Sequence, residues 1–122
     1  MNDYPKLIPF WKENYFVTDM DNEVRFADFL KRNPDLSLVA EENGEIVGTV
    51  LGSFDGRRGY IQKLVVSKSQ RGKGLGKKIL TQLVDKLHAL GVLYIPIACE
   101  PKYLAFYKSC GFKQTEQIAI SL

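Results

Sequence analysis

The sequence predicts an α/β domain of the α+β kind: a mixed, mainly antiparallel sheet flanked by helices. Three observations predict it. Ile79, Leu80, Leu83, Val84, Leu87 and Leu90 recur at the spacing of one helical face. Residues 37–66 read as three short apolar runs separated by Asn43-Gly44 and Asp55-Gly56, the turn chemistry of an antiparallel meander. The last of these runs, Leu64-Val65-Val66, passes through Gly72, Gly74 and Gly76 directly into the long helix. A chain of 122 residues is long enough for one hydrophobic core and too short for two, so a single domain over 1–122 is expected.

Asp3 is placed to cap a first helix that carries Pro5 early, where a missing N–H costs little. Leu7, Ile8, Trp11 and Tyr15 lie on one side of it. A loop over Val17 to Met20 leads to a second helix at 22–32, stopped by Asn33-Pro34. Ser37 to Ala40 reads as a strand, residues 42–45 as a hairpin turn and Ile46 to Ser53 as the partner strand. A second turn over 54–59 leads into Tyr60 to Val66. After the long helix, Gly91 has the place of a C-terminal cap. Leu93 to Ala98 reads as a short strand in which Pro96 removes one ladder bond. Pro101 to Ser109 reads as a helix closed by Cys110-Gly111-Phe112, and Gln117 to Leu122 as a last strand.

Composition narrows the function classes. With 45% hydrophobic and 25% charged residues the chain reads as a globular protein. No apolar run approaches the length needed to span a bilayer, so no membrane partner is expected. Met1-Asn2-Asp3 begins neither a signal nor a transit peptide, which makes the cytoplasm the expected location. Cys99 and Cys110 are too few for a disulfide framework, and with His88 as the single histidine no metal site is expected. Net charge is +3, and its distribution is uneven. No acidic residue falls between Gly56 and Val84, and eleven of the fourteen carboxylates precede Gly56. That split suits a ligand with several phosphates on one side and a cationic substrate on the other. Nucleic acid is the rival partner for the basic stretch, but only Tyr60 interleaves it, too little for a base-stacking surface, so no nucleic acid is expected.

The stretch Gln70-Arg71-Gly72-Lys73-Gly74-Leu75-Gly76-Lys77-Lys78 has the makings of a diphosphate cradle. Amides at a helix N-terminus lack intrahelical acceptors, and the helix dipole favours an anion there. The glycines remove side chains where a phosphate must approach the backbone, and the cations add charge around the same point. A Walker loop is excluded, because only three residues separate Gly72 from Gly76 and Lys78 stands where the hydroxyl should be. A dinucleotide fingerprint is excluded as well. Lys77 takes its third glycine position, and no acidic residue follows to hold a ribose.

What fits is Arg71-x-x-Gly74-x-Gly76, which resembles the acetyl-CoA-binding motif of the GCN5-related N-acetyltransferase (GNAT) superfamily. Glu45-Ile46-Val47-Gly48-Thr49-Val50 resembles that family's third strand. Ala105-Phe106-Tyr107-Lys108-Ser109-Cys110-Gly111-Phe112 resembles its A-x-x-F-Y-x-x-x-G-F signature, with the Ala closer here. Three segments in the right order extend the likeness over nearly the whole chain. The chain also departs from the pattern. The usual first strand is missing, which leaves a sheet edge short, exposed, covered by another element or paired with a second chain, so a homodimer is among the expectations. Glu100 stands where many members carry Asn, and Gln62 and Lys63 stand where many carry a catalytic Glu.

The resemblance implies direct transfer of acetyl from acetyl-CoA to a primary amine of a small molecule or peptide in a ternary complex. Arg71, Gly72, Lys73, Gly74, Leu75, Gly76 and Lys77 are then expected around the diphosphate. The backbone of Leu64, Val65 and Val66 is expected along the pantetheine, with the Val66 N–H on the thioester carbonyl. Tyr107 is the expected acid for the leaving thiolate. Glu100 is the first candidate to take the proton of the amine through water, and Glu41 the second. Trp11, Tyr15, Phe16, Asp19, Asp21 and Glu23 are candidates to line or flank the amine site. Two other readings stand beside this one: a CoA-binding or regulatory module without efficient catalysis, and a nucleic-acid-binding α/β domain.

Overall fold

A computed structural model describes residues 3–122. The expectation about the absence of a targeting signal at Met1-Asn2 falls on residues outside the described ones. The described elements are helix α1 (Tyr4–Asn14), a 3₁₀ turn (Asp19–Asp21), helix α2 (Glu23–Arg32), strands β1 (Ser37–Glu42), β2 (Glu45–Phe54) and β3 (Gly59–Val66), a 3₁₀ turn (Lys68–Gln70), helix α3 (Leu75–Ala89), a 3₁₀ turn (Pro101–Tyr103) and helix α4 (Leu104–Ser109). The strands form an antiparallel meander in the order β1-β2-β3. Asn43 and Gly44 both have positive φ, as the two-residue hairpin between β1 and β2 requires.

The sheet separates two apolar layers. Against one face, Leu7, Phe10 and Trp11 of α1 and Phe26 of α2 pack on Ile46, Leu51 and Val65. Against the other, Ile79, Leu80, Leu83 and Leu87 of α3 pack on Val50 and Ile61. Gly52 lets α3 come this close: a Cβ there would lie 2.5 Å from the Leu36 carbonyl and 2.6 Å from Leu83 Cδ1. Helix α3 ends in a Schellman motif. The Val92 N–H donates to the Leu87 carbonyl at 3.2 Å and the Gly91 N–H to that of His88 at 2.9 Å, with Gly91 at φ +86°. The cap expected at Gly91 is therefore present. Asp3 sits at the N-cap of α1, but its side chain makes no capping bond. Its carbonyl instead accepts the N–H groups of Lys6 and Leu7.

Two expected strands are corrected. Leu93 to Ala98 makes a single parallel bridge, Arg58 with Tyr94, and then leaves the sheet. Pro96, which has no N–H to donate, falls just where a ladder would continue. Gln117 to Leu122 forms no strand, and its Ile118, Ile120 and Leu122 are exposed. The segment it would pair with carries no ladder of its own, so the alternating pattern has no edge to join.

Strand β3 contains a bulge that shapes everything beside it. Thr49 pairs with Val65 and Leu51 with Gln62, so two residues, Lys63 and Leu64, stand opposite Val50 alone. Lys63 takes φ +52°. The Lys63 carbonyl turned aside there accepts the hydroxyl of Thr49 at 2.9 Å, and the Thr49 Oγ1 in turn accepts the indole N–H of Trp11 at 3.0 Å. Thr49 is fully buried, so no solvent stands in for either bond. Replacing Thr49 with Val is expected to lower the unfolding free energy by about 1–3 kcal/mol, the cost of stranding buried polar groups, as read from a urea transition. A change below about 0.5 kcal/mol would show that the bulge does not depend on this hydroxyl.

Candidate active site

The open edge of β3 follows from its pairing. The Ser67 N–H donates to the Val47 carbonyl at 2.9 Å, which marks that pair as hydrogen-bonded. Antiparallel alternation then makes Gly48 and Val66 a non-hydrogen-bonded pair, so the N–H and C=O of Val66 point away from β2. The Gly59 N–H, which also points outward, donates to the Tyr94 carbonyl at 3.1 Å. Beyond that bond the two chain segments part. The result is a cleft of about 810 Å³ with β3 residues 61–66 on one wall and Ile97, Ala98, Cys99 and Glu100 on the other. That volume lies in the range of small-molecule sites, about 300–1,000 Å³.

Helix α3 closes one end of the cleft. Gly72 and Gly74 have φ +79° and +84°, and nothing lies within 4 Å of where their Cβ atoms would be. Lys78 is the first residue of α3 whose N–H finds a backbone carbonyl, that of Gly74 at 3.1 Å. The amides of Leu75, Gly76 and Lys77 ahead of it are left for a ligand, at the positive end of a helix fifteen residues long. Arg71, Gly72, Gly74, Leu75, Gly76 and Lys77 all line the cleft, whereas Lys73 belongs to the turn but is not part of the lining. The Arg71 guanidinium donates from Nε to the Val66 carbonyl at 3.0 Å and from Nη2 to the Asn14 carbonyl at 3.1 Å. It thus ties the glycine turn to both β3 and the end of α1.

Helix α4 brings Tyr107 to the cleft through a second Schellman motif. The Phe112 N–H donates to the Tyr107 carbonyl at 3.0 Å and the Gly111 N–H to that of Lys108 at 3.1 Å, with Gly111 at φ +97°. The Tyr107 and Phe112 rings meet edge to face at 5.7 Å, which is the apolar contact that accompanies such a cap. The spacing of Tyr107, Gly111 and Phe112 is therefore that of a helix terminator, and it fixes where the phenol sits. Burial, with a smaller contribution from neighbouring Cys99, pushes the Tyr107 phenol up to about 12. Cys99, Glu100, Tyr15 and Tyr103 complete this end of the cleft. Glu100 Oε2 lies 3.4 Å from Lys102 Nζ, both side chains being well exposed. The Tyr15 phenol is also raised, first by burial and then by Glu100 and Tyr103.

The amine-side candidates divide. Tyr15 lines the cleft, and Phe16 lies against it with ring centroids 4.0 Å apart. Trp11 is fully buried in the core layer. Asp21 is buried as well: its Oδ2 accepts the Thr18 N–H at 2.8 Å and meets Lys63 Nζ at 3.1 Å. Asp19, Glu23 and Glu41 are exposed and are not among the cleft residues. Sequence reasoning missed Cys99, Tyr103 and the part played by Lys63. The Lys63 ammonium donates to the Phe16 carbonyl at 2.7 Å and lies 4.9, 5.3 and 4.8 Å from the ring centroids of Trp11, Tyr15 and Phe16. A lysine at a bulge, caged by rings from a distant helix end, leaves no local mark in a sequence. Among the described residues no group of three or more His, Cys, Asp or Glu could hold a metal ion, and no helix is long and apolar enough to cross a membrane.

A family model described as acetyltransferase (GNAT) family matches residues 4–112. The chain belongs to that family, as its motifs implied. An acetyltransferase of Photorhabdus laumondii is 37% identical over 100 residues, 78% of this chain and 70% of its own length. One from Pectobacterium atrosepticum is 38% identical over 91 residues, 74% of this chain and 64% of its own. This chain thus spans about two thirds of the length of those relatives. Among solved structures, glucosamine-6-phosphate N-acetyltransferase from Arabidopsis thaliana superposes with TM-score 0.76 at 27% identity, over 98% of this chain and 90% of that one. A predicted acetyltransferase from Clostridium acetobutylicum, solved with acetyl-CoA, superposes with TM-score 0.75 at 22% identity, covering 98% and 90%. These likenesses bear out the expected fold class.

Proposed function

We propose that this chain is a single acetyltransferase domain, working in the cytoplasm, that transfers acetyl from acetyl-CoA directly to a primary amine. The observation that carries the reading is the meeting, in one cleft, of three things: the free amides at the start of α3, the outward N–H of Val66, and the Tyr107 phenol. The residues fit the donor. Open space at Gly72 and Gly74 admits a diphosphate, and the β3 edge offers backbone partners to an amide-bearing arm.

Acetyl-CoA supplies an activated acyl group, so the chain needs no covalent nucleophile. The α3 amides, with Arg71 and Lys77, hold the diphosphate. The Val66 N–H donates where negative charge develops on the carbonyl oxygen, a contribution of about 3 kcal/mol for one well-aimed donor. Tyr107 delivers its proton to the departing sulfur. Glu100 takes the proton that the amine must lose, through water. Holding both reactants in attack geometry supplies the rest.

The test is release of free thiol from acetyl-CoA over a panel of amines, with calorimetric binding of CoA beside it. Gly74→Asp serves as the donor-site variant, since Asp tolerates positive φ better than most residues. A like charge against the diphosphate is expected to weaken CoA binding about 10–100-fold. No binding of CoA by the unaltered protein would end the reading. Binding without thiol release from any amine would leave a CoA-binding module. That second reading is favoured by one observation: among the described residues Glu100 is the lone carboxylate lining the cleft, and it already has Lys102 beside it.

A further inference from the structure

We infer that the acceptor is a primary amine carried on an aromatic or compact apolar body, not a polyamine and not a sugar phosphate; this rests on the acetyl-transfer reading above. The amine end of the cleft is rimmed by Tyr15 and Tyr103, 45% and 42% exposed, with Phe16 half exposed behind Tyr15. Large rings left open at a cleft mouth give apolar area and π-faces, which suit an ammonium joined to a ring or branched chain. The Lys63 ammonium already lies on the Tyr15 and Phe16 rings, so what they still offer an acceptor is their exposed apolar area.

Charge decides against the alternatives. Among the described cleft residues only Glu100 is acidic, so a single ammonium is matched there. The further cations of a polyamine would face Lys63 beside Tyr15 with no other carboxylate in the lining to meet them. A sugar phosphate needs a free cation at the same end. The Lys63 ammonium is spent on Asp21 and the Phe16 carbonyl, and Lys102 is not among the residues lining the cleft. The Glu100–Lys102 pair is exposed and therefore weak, so Glu100 can exchange Lys102 for an incoming ammonium.

The experiment compares kcat/KM for 2-phenylethylamine, spermidine and glucosamine 6-phosphate by thiol release. The aromatic amine is expected to lead both others at least tenfold. Tyr15→Ala should cost it about tenfold through KM, leave the KM of acetyl-CoA unchanged and be reversed in Tyr15→Phe, because the ring and not the hydroxyl makes the contact. Tyr103→Ala repeats the test if Tyr15→Ala melts early. Equal or better use of spermidine or the sugar phosphate overturns the inference. So does a ring deletion that slows all three amines alike. Should no amine release thiol while CoA still binds, the transfer reading has failed on its own. Equilibrium binding of 2-phenylethylamine against spermidine to the CoA complex then decides this inference, tighter binding of the aromatic amine supporting it and any other order overturning it.

Discussion

Replacing Lys63 with Met should lower the unfolding free energy by about 3–5 kcal/mol, because it strands the Asp21 carboxylate in a place built for an ion pair. Both side chains are only 9% exposed, which separates this pair from the surface bridges Arg32–Asp28 and Lys102–Glu100. The ammonium also holds the Phe16 carbonyl and sits among three rings, so several contacts disappear together. A double variant with Asp21→Asn should regain much of the loss, since the uncompensated charge is then gone. Urea transitions of the four proteins of this cycle give the coupling, with the single tryptophan, Trp11, as a fluorescent reporter beside the pair. A loss under about 1 kcal/mol for Lys63→Met would mean that solvent screens the pair.

Tyr107→Phe should reduce kcat about 100-fold while leaving the KM of acetyl-CoA nearly unchanged. General acids contribute about 10²–10⁴, and a thiolate, which leaves readily, places this case near the lower limit. The rotor is lost but the ring stays, so the Schellman contact with Phe112 is retained and the fold should survive. The pH dependence follows from the direction of the shift. The phenol is moved from 10.0 to about 12, so its ionisation is delayed and the proton remains available through pH 10. An acceptor amine with a value near ~10.4 must instead lose its proton before attack. The unaltered enzyme is therefore expected to gain kcat/KM up to about pH 10 with no falling limb. In Tyr107→Phe the same rise should appear at lower amplitude. A descending limb between pH 8 and 10 in the unaltered enzyme alone would remove either the shift or the role.

Most of what shapes the α3 end of the cleft was legible in the chain because it depends on glycine. Positive φ at Gly72, Gly74 and Gly111 is a local demand that few other residues meet, so spacing reveals it. The same holds for Tyr107, whose position is set by a helix terminator six residues long, Tyr107 to Phe112, in its own segment. The meander was readable from its turns. The Leu93 to Ala98 strand was not, because its apolar run is equally that of a segment packed on α3 while parting from the sheet. The Tyr15 end of the cleft was the least readable. Lys63 and the Phe16 carbonyl are 47 positions apart, and only the closed fold brings the bulge under the end of α1. Asp21, which looked like a substrate carboxylate, proved to have an internal partner.

The bulge in β3 makes the bend of the strand a matter of chain length. Two residues face one across the ladder, so removing either Lys63 or Leu64 would let the strand zip regularly against β2. The outward groups of Val66 would keep their direction, since Gly48 opposite holds its place in the alternation, but the carbonyl that Thr49 holds and the local bend would go. Side-chain changes leave this count alone. The position is therefore one where a single-codon deletion, harmless in most surface loops, would straighten this wall of the groove, while many substitutions around it preserve the bend.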